Sequence, residues 1–412
     1  MQLSDINLMD LDMIAERVPH EELTFLRREA PVWLHPESRG PGCWVVSKYD
    51  DVVKISRDWE TFSSDAHRGG VIGMEENPEA QAAADLEGNM MLTMDPPRHT
   101  RYRKLVNKGF TPRRVAALEE QARLTSTRII DRVIEKGEAD YVVDIAAELP
   151  LAVIADLMGV PEDDHHKIFD WSNQLVGSQD PEYQVSRDEV MSSAIELFQY
   201  ANALGKQRRN EPKDDIVTAL LTAEVDGDTL TEQDFDLFFM LLAVAGNETT
   251  RNVLSHGALA LMEHPEEYRK LVANPDLMPN AVEEILRWAT PVMYFRRNAT
   301  TDYELRGQEI KEGDKVSIWY MSANRDEDVF DDPFRFDVER TPNEHVAFGG
   351  GGPHFCLGAS LARLELRVML TELMRRMPDM EMAGPPVRLR SNFLNGIKHL
   401  PITFTPGKRE AD

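Results

Sequence analysis

The most regular hydrophobic pattern in the chain predicts one long helix from Thr231 to His264. The first half of this segment is apolar on nearly every side, which indicates a helix enclosed by other elements. Its start, Thr231-Glu232-Gln233-Asp234, resembles a capping box with Asp in place of the usual Glu or Gln, and Pro265 ends the pattern. A helix of this length spans roughly 50 Å, enough to run through the middle of a domain.

Weaker patterns predict a large helical block with short strands at both ends. Helical periodicity dominates from about Thr111 to Met377, and Asp50 to Trp59 predicts a further helix. Strand character is predicted at 43–46, at 303–307, where Gly307 suggests a turn, and at 315–320, where apolar residues alternate to give one apolar face. The segment 391–405 predicts a closing hairpin. The expected fold class is therefore mainly α with a small β part.

Charge and cysteine content narrow the range of functions. The 412 residues include 46 Lys and Arg against 72 Asp and Glu, a net charge of −26, which disfavours binding to nucleic acid or anionic lipid. The two cysteines, Cys43 and Cys356, do not make a disulfide framework. Acidic residues precede the first basic residue, Arg17, and the longest apolar run, 237–245, is too short to cross a bilayer. We expect a cytoplasmic protein without a membrane anchor.

The long helix changes character abruptly at Ala245-Gly246-Asn247-Glu248-Thr249-Thr250. An acid and two hydroxyls inside an apolar helix are costly unless they are paired or used, and Gly246 weakens the helix by about 1 kcal/mol relative to Ala. One interpretation is a kink in a structural helix. The other is a site where something large and flat approaches Gly246 while Glu248 and Thr249 handle protons.

A second feature is the loop Phe348-Gly349-Gly350-Gly351-Gly352-Pro353-His354-Phe355-Cys356-Leu357-Gly358. Four glycines allow the backbone to approach a ligand closely, and a helix from Ala359 to Met377 follows. A helix start favours a thiolate, so a lowered pKa is predicted for Cys356. An inert structural cysteine is the alternative.

Two weaker signals concern charge pairs and a basic run. Glu284 and Arg287 lie three residues apart on a predicted helix that begins near Pro279, a spacing that is common on protein surfaces. Residues 96–118 hold seven Lys or Arg and no acid. The basic run is either a solvated face or a clamp for carboxylates.

Together the four features resemble the cytochromes P450, which are heme-thiolate monooxygenases, and the resemblance runs from Trp44 to the final segment. It implies a single domain over residues 1–412, with heme b (iron protoporphyrin IX) bound through Cys356 as the metal ligand. It also implies that Glu248 and Thr249 form the acid–alcohol pair and that Glu284 and Arg287 form a structural pair. The heme-binding residues carried over by the resemblance are His99, Arg103, Ala245, Gly246, Arg297, Phe348, Gly349, His354, Cys356 and Gly358. In most members Phe lies seven residues before the Cys, whereas here Phe348 lies eight before it.

The implied reaction inserts one oxygen atom from O₂ into a C–H bond of an apolar substrate. Electrons are expected from NAD(P)H through a ferredoxin and its reductase, because no flavin or nicotinamide segment is present. Lys104, Lys108, Arg113 and Arg114 are the candidates for docking an acidic ferredoxin. A peroxide-driven heme enzyme and a heme-binding carrier or interaction module without turnover are the alternatives.

A sterol-like, terpenoid or branched fatty substrate is expected, since the motifs resemble the bacterial branch that oxidises sterol side chains and methyl-branched lipids. Methionines clustered at 90, 91 and 94 suggest an adaptable lining. The predicted substrate pocket consists of Phe238, Phe239, Leu242, Ala243, Val292, Met293 and Phe393.

Overall fold

A computed structural model describes residues 1–38, 40–75, 90–176, 180–183, 186–225 and 227–410. Most of these residues are helical, as the sequence predicts. The α-helices span Leu11–Glu16, His20–Glu29, Tyr49–Arg57, Arg98–Val106, Pro112–Ala117, Glu119–Asp131, Glu148–Leu157, His165–Val176, Arg187–Asn210, Ile216–Leu221, Glu232–Glu263, Pro265–Ala273, Met278–Ala289, Tyr320–Ala323 and Ala359–Arg376. Short 3-10 helices lie at Leu3–Asp5, Ala66–Arg68, Met91–Thr93, Glu162–Asp164 and Pro275–Leu277, and Tyr141–Ala146 is a π-helix.

The helix Glu232–Glu263, called the central helix below, confirms the strongest prediction. The Thr231 side chain accepts a hydrogen bond from the Asp234 N–H at 3.1 Å, and the Asp234 carboxylate accepts one from the Thr231 N–H at 3.0 Å. Pro265 begins the next helix. Helices on several sides enclose the central helix, including Glu148–Leu157, Arg187–Asn210, Met278–Ala289 and Ala359–Arg376. We call the last of these the cysteine helix.

The principal sheet has five strands in the order Val32–His35, Cys43–Val46, Lys315–Trp319, Tyr294–Ala299 and Phe62–Ser63. The strand Lys315–Trp319 lies in the middle. Its predicted apolar side, which carries Val316 and Ile318, packs in the core as expected, and its opposite side is buried as well. The polar positions are accommodated by partners: Lys315 forms a buried ion pair with Glu37, and the Ser317 hydroxyl donates to the Trp44 carbonyl at 3.0 Å.

The smaller sheets correct the prediction of a closing hairpin. Tyr303–Leu305 pairs with Gln308–Ile310 across the predicted turn. Ile397–His399 pairs with Val387–Arg388, whereas Pro401–Thr403 pairs with Glu138–Asp140 and Glu381–Met382. The two strands within 391–405 therefore do not pair with each other. Only Leu400 separates them, which is too short a connection for a hairpin turn.

Candidate active site

The middle of the central helix forms one wall of a cavity. Ala245, Gly246, Thr249 and Thr250 line it, and the Thr249 hydroxyl donates to the Ala245 carbonyl at 2.8 Å. Gly246 also has a packing role, because a Cβ added there would lie 3.0 Å from the side chain of Ile154 on the neighbouring helix. The glycine thus serves helix packing as well as the cavity.

Glu248 does not line the cavity. Its carboxylate is buried and forms an ion pair with Arg251, one turn further along the helix. Burial raises the pKa of Glu248, and the nearby Arg251 opposes that rise. The two predicted proton-handling residues therefore occupy different faces, with only Thr249 at the cavity.

The glycine loop is shaped by the helix Tyr49–Arg57. Gly349, Gly351 and Gly352 all have positive φ, and a Cβ on Gly352 would lie 2.3 Å from the Ser56 carbonyl oxygen. The loop closes with the Cys356 N–H donating to the Phe348 carbonyl at 3.0 Å. Despite the additional residue, Phe348 and Cys356 both line the cavity.

Cys356 lies just before the cysteine helix and is open to the cavity. Burial raises the pKa of its thiol, while the backbone N–H groups of Gly358 and Ala359 and the cations Arg103 and Arg363 lower it. The net shift is upward, so the predicted lowering is wrong: desolvation of the thiolate outweighs the helix start. A bound metal cation would favour the thiolate form.

Four basic side chains meet at one side of this cavity: His99, Arg103, Arg297 and His354. The two imidazole rings lie 4.3 Å apart, and the Arg297 guanidinium donates to the Arg296 carbonyl at 2.7 Å. Burial and the neighbouring Arg103 lower the pKa of His99 to about 4, and burial lowers those of His354 and Arg297. Within the described ranges, none of the four is paired with a carboxylate.

These residues fit a heme. His99 Nδ1 and His354 Nε2 are buried and have no hydrogen-bond partner among the described residues, so a donor set is left for an anion. Heme supplies two propionates for it. The cavity, of about 250 Å³, has mostly apolar walls beyond the basic cluster, and of the two cysteines only Cys356 lines it. Gly349 and Gly358 of the same loop line it as well.

The Glu284–Arg287 pair is fully buried and lies outside the cavity lining. Their side chains are 2.7 Å apart, and Arg287 also donates to the carbonyls of Asn324 and Pro333 at 2.9 Å each. Arg340 is a second cation on Glu284, at 3.1 Å. The arrangement is a structural network that joins the helix Met278–Ala289 to the chain that follows it, and is not a surface pair.

Only some of the residues predicted for the substrate pocket line the cavity. Phe238, Leu242 and Val292 line the cavity, whereas Phe239, Ala243, Met293 and Phe393 do not. Phe239 packs against Tyr200 and Phe235, and the Ala243 carbonyl accepts a hydrogen bond from Ser172. Met293 belongs to a separate core cluster that includes Val45 and Trp319 of the main sheet, and Phe393 packs against that cluster. Of the three clustered methionines, Met91 alone is in the cavity lining.

Several lining residues escaped the sequence analysis. They include the apolar residues Val71, Leu92, Phe110, Ile154, Leu241, Leu286 and Phe295. Leu241 could have been predicted from the sequence. The i, i+3/i+4 spacing of one helical face relates it to other lining residues: Phe238, Leu242, Ala245 and Thr249. Glu365, on the cysteine helix, was also missed. It is buried at the cavity, and burial holds the pKa of its carboxyl well above the ordinary value.

Comparison with known proteins agrees with this architecture. The model of the family described as Cytochrome P450 matches residues 154–378. A crystal structure of a Mycobacterium marinum cytochrome P450 in complex with pseudoionone superposes with a TM-score of 0.86 at 42% identity, covering 93% of this chain and 94% of that one. The mainly helical fold is therefore that of a cytochrome P450.

Curated relatives give the same assignment. A methyl-branched lipid omega-hydroxylase of Mycobacterium bovis is 44% identical over 98% of this chain and 95% of its own. A steroid C26-monooxygenase of Rhodococcus jostii is 41% identical over 96% of this chain and 84% of its own. The chain belongs to the cytochrome P450 family. It is a cytochrome P450 monooxygenase with heme as its cofactor.

Among the helices of the described ranges, none is both long and apolar enough to span a membrane.

Proposed function

We propose that this monooxygenase hydroxylates a terminal or near-terminal carbon of a sterol-like, terpenoid or branched fatty substrate. The observation that supports this proposal is that the cavity has one basic side and an otherwise largely apolar wall. Its basic groups gather around His99, Arg103, Arg297 and His354, while the remaining wall is largely hydrophobic. An apolar substrate fits such a wall. Among the residues that the structure describes, the wall offers no cation beyond those four to anchor an acidic head group.

The protein's part in the reaction is to hold the heme and to handle protons. Bound through a thiolate, heme supplies the O₂ activation and the oxygen transfer. Cys356 would supply the thiolate ligand, and the four basic side chains would hold the propionates through charge-assisted hydrogen bonds. Ala245 and Gly246 leave room beside the ring, because neither carries a side chain larger than a methyl group.

Thr249 is the proposed proton-handling hydroxyl at the cavity. Its donation to the Ala245 carbonyl leaves its oxygen lone pairs to accept from water. Glu248 does not line the cavity, so it would act on Thr249 through water: its carboxylate separates from Arg251, takes up a proton from solvent and passes it on to the hydroxyl. The raised pKa of Glu248 favours its protonated form, which is the form able to give a proton.

The named relatives support the substrate class, since their activities concern methyl-branched lipids and the steroid C26 position. The wall in this chain is built from Phe238, Leu242 and Val292 together with Phe110 and Phe295. An apolar wall next to the heme would accept the alkyl end of a substrate more readily than a polar group.

Titration with sterols, terpenoids and branched fatty acids should convert the heme from low to high spin. The physical reason is that an apolar ligand displaces water beside the metal. Optical difference spectra give the apparent affinity, and product analysis after turnover locates the hydroxyl group. Binding only of small polar aromatics, without response to any lipid or terpenoid, would contradict the proposed substrate class.

Thr249→Ala should leave heme content and the spin shift largely unchanged but divert reduced O₂ to peroxide. The hydroxyl acts only after O₂ binds, so its loss removes proton delivery without affecting substrate contacts. Product formed per NAD(P)H is the measurement, with peroxide quantified in parallel. Thr249→Ser, which retains the hydroxyl, is the matched control. An unchanged product yield in Thr249→Ala would refute this role.

We further propose that electrons arrive from NAD(P)H through a ferredoxin and its reductase, in the cytoplasm. Two cysteines that are both free support a reducing compartment. Of the four docking candidates, Lys108 donates to the Glu224 carbonyl and Arg114 pairs with Asp214. Lys104 and Arg113 are exposed, and no ion pair involves them within the described ranges. They are the best placed to meet an acidic ferredoxin.

Lys104→Gln combined with Arg113→Gln should slow electron transfer and flatten its dependence on ionic strength. Charge complementarity mainly raises the association rate, so the effect should be largest at low salt. Stopped-flow reduction by ferredoxin is the measurement. Lys311→Gln with Arg409→Gln removes the same charge from other elements and should have less effect. Equal rates and equal salt response in both double variants would place docking elsewhere.

A further inference from the structure

A cluster of charged and aromatic side chains packs around Phe348, at the start of the glycine loop 348–358, which is called the cysteine loop below. Glu283, on the helix Met278–Ala289, accepts two hydrogen bonds from Arg363 of the cysteine helix, at 2.7 and 2.8 Å. It accepts a third at 3.0 Å from His345. Partial burial raises the pKa of Glu283, but these donors outweigh it and hold the pKa at about 2. The carboxylate is therefore charged and fixes the plane of the Arg363 guanidinium.

That guanidinium covers the Phe348 ring. The Arg363 Cζ atom lies 4.6 Å from the ring centroid, which is cation–π distance. His345 and Phe355 approach the same ring, with centroids 5.9 and 6.4 Å away. Among the described residues, these three side chains pack against Phe348. Only Arg363 of the three forms an ion pair with two hydrogen bonds, which joins the cysteine helix to Glu283 on the helix Met278–Ala289.

Phe348 is in turn joined to the proposed metal ligand. Its carbonyl accepts the hydrogen bond from the Cys356 N–H at 3.0 Å, and its side chain lines the cavity. The intervening loop contains four consecutive glycines, which resist bending less than other residues. Contacts of the Phe348 side chain therefore restrain the start of the loop, in addition to the packing of its glycines against the helix Tyr49–Arg57.

We propose that Arg363 is a positioning residue of the cysteine loop and that it raises the one-electron reduction potential of the heme. Held by Glu283, it keeps the Phe348 ring and carbonyl in place beside Cys356. Its positive charge near the cysteine side also favours the reduced heme, which carries one more electron. The proposal rests on Cys356 being the heme ligand, as set out under the proposed function.

Three variants of the purified holoenzyme separate this role from a merely structural one. Arg363→Gln removes the cation and leaves Glu283 with His345 alone, so the equilibrium constant for one-electron reduction should fall about tenfold, roughly 59 mV. Arg363→Lys retains the charge but loses the planar two-fold contact, so a smaller fall is expected. Glu283→Gln retains the cation and removes the anion, so the potential should rise or stay level.

The matched control is Arg367→Gln, one helical turn further along the cysteine helix. Arg367 pairs with Glu119 at 2.9 Å and is exposed to a similar degree as Arg363. Spectroelectrochemical titration should show no shift for this variant. Equal potentials in wild type, Arg363→Gln and Glu283→Gln would overturn the proposal, as would a fall of the same size in all three variants.

The reduced CO spectrum, recorded on every sample, distinguishes this failure from failure of the proposed heme ligation. A red-shifted Soret band in all variants with unchanged potentials would overturn only the role of Arg363. Absence of that band in the wild-type protein would overturn the ligation by Cys356 on which the inference rests.

Discussion

Cys356→Ser should abolish the red-shifted Soret band of the reduced CO adduct. Cys356 is the only cysteine in the cavity lining, and its backbone is fixed by the hydrogen bond to Phe348. The other cysteine, Cys43, lies in a strand of the main sheet, fully buried, where desolvation raises its pKa to about 11. It has no route to the cavity without unfolding of the sheet.

The matched control for this prediction is Cys43→Ala. It should retain the band, because the buried thiol is a small apolar group there and its loss leaves the cysteine loop untouched. Heme content, measured separately, shows whether the Ser variant still binds the cofactor through its propionates. A red-shifted band that survives in Cys356→Ser, or disappears in Cys43→Ala at full heme content, would contradict the assignment.

Glu284→Gln should lower the free energy of unfolding by about 3–5 kcal/mol, the range for breaking a buried ion pair from one side. The substitution leaves the cations Arg287 and Arg340 next to a neutral amide, and it also weakens the hydrogen bond from the Asp337 N–H. Denaturant unfolding followed by circular dichroism is the measurement, together with heme retention.

Glu304→Gln, at an exposed position of the strand Tyr303–Leu305, is the control for loss of one carboxylate and should change stability by less than about 0.5 kcal/mol. If Glu284→Gln changed stability as little as this control, the network would not be the structural element inferred from its burial.

Local signals in the sequence were sufficient to predict an element when its start and its end are both set by nearby residues. The central helix begins after Thr231 and ends before Pro265 because its cap and its breaker are both local. The cysteine helix likewise follows the glycine loop directly, at Ala359. The side chains that the family resemblance placed around the heme also meet at one cavity.

The remaining features depend on tertiary contacts that no local pattern contains. The central helix is apolar on nearly every side, so its sequence does not show that Phe238 faces the cavity while Phe239 faces Tyr200. The spacing of Glu284 and Arg287 is common on surfaces, and burial became evident only with Arg340 and the carbonyls around them. The pKa of Cys356 depends on burial, which outweighs the helix start that the sequence displays.

Turnover under ¹⁸O₂ tests the central claim most directly. The holoenzyme, reconstituted with NAD(P)H, ferredoxin, its reductase and catalase, is given a branched fatty acid or a sterol with an alkyl side chain. The account predicts a product hydroxylated at or near the chain terminus that carries one ¹⁸O atom from O₂. A product that carries oxygen from water, or one that forms only when peroxide is supplied, would contradict it.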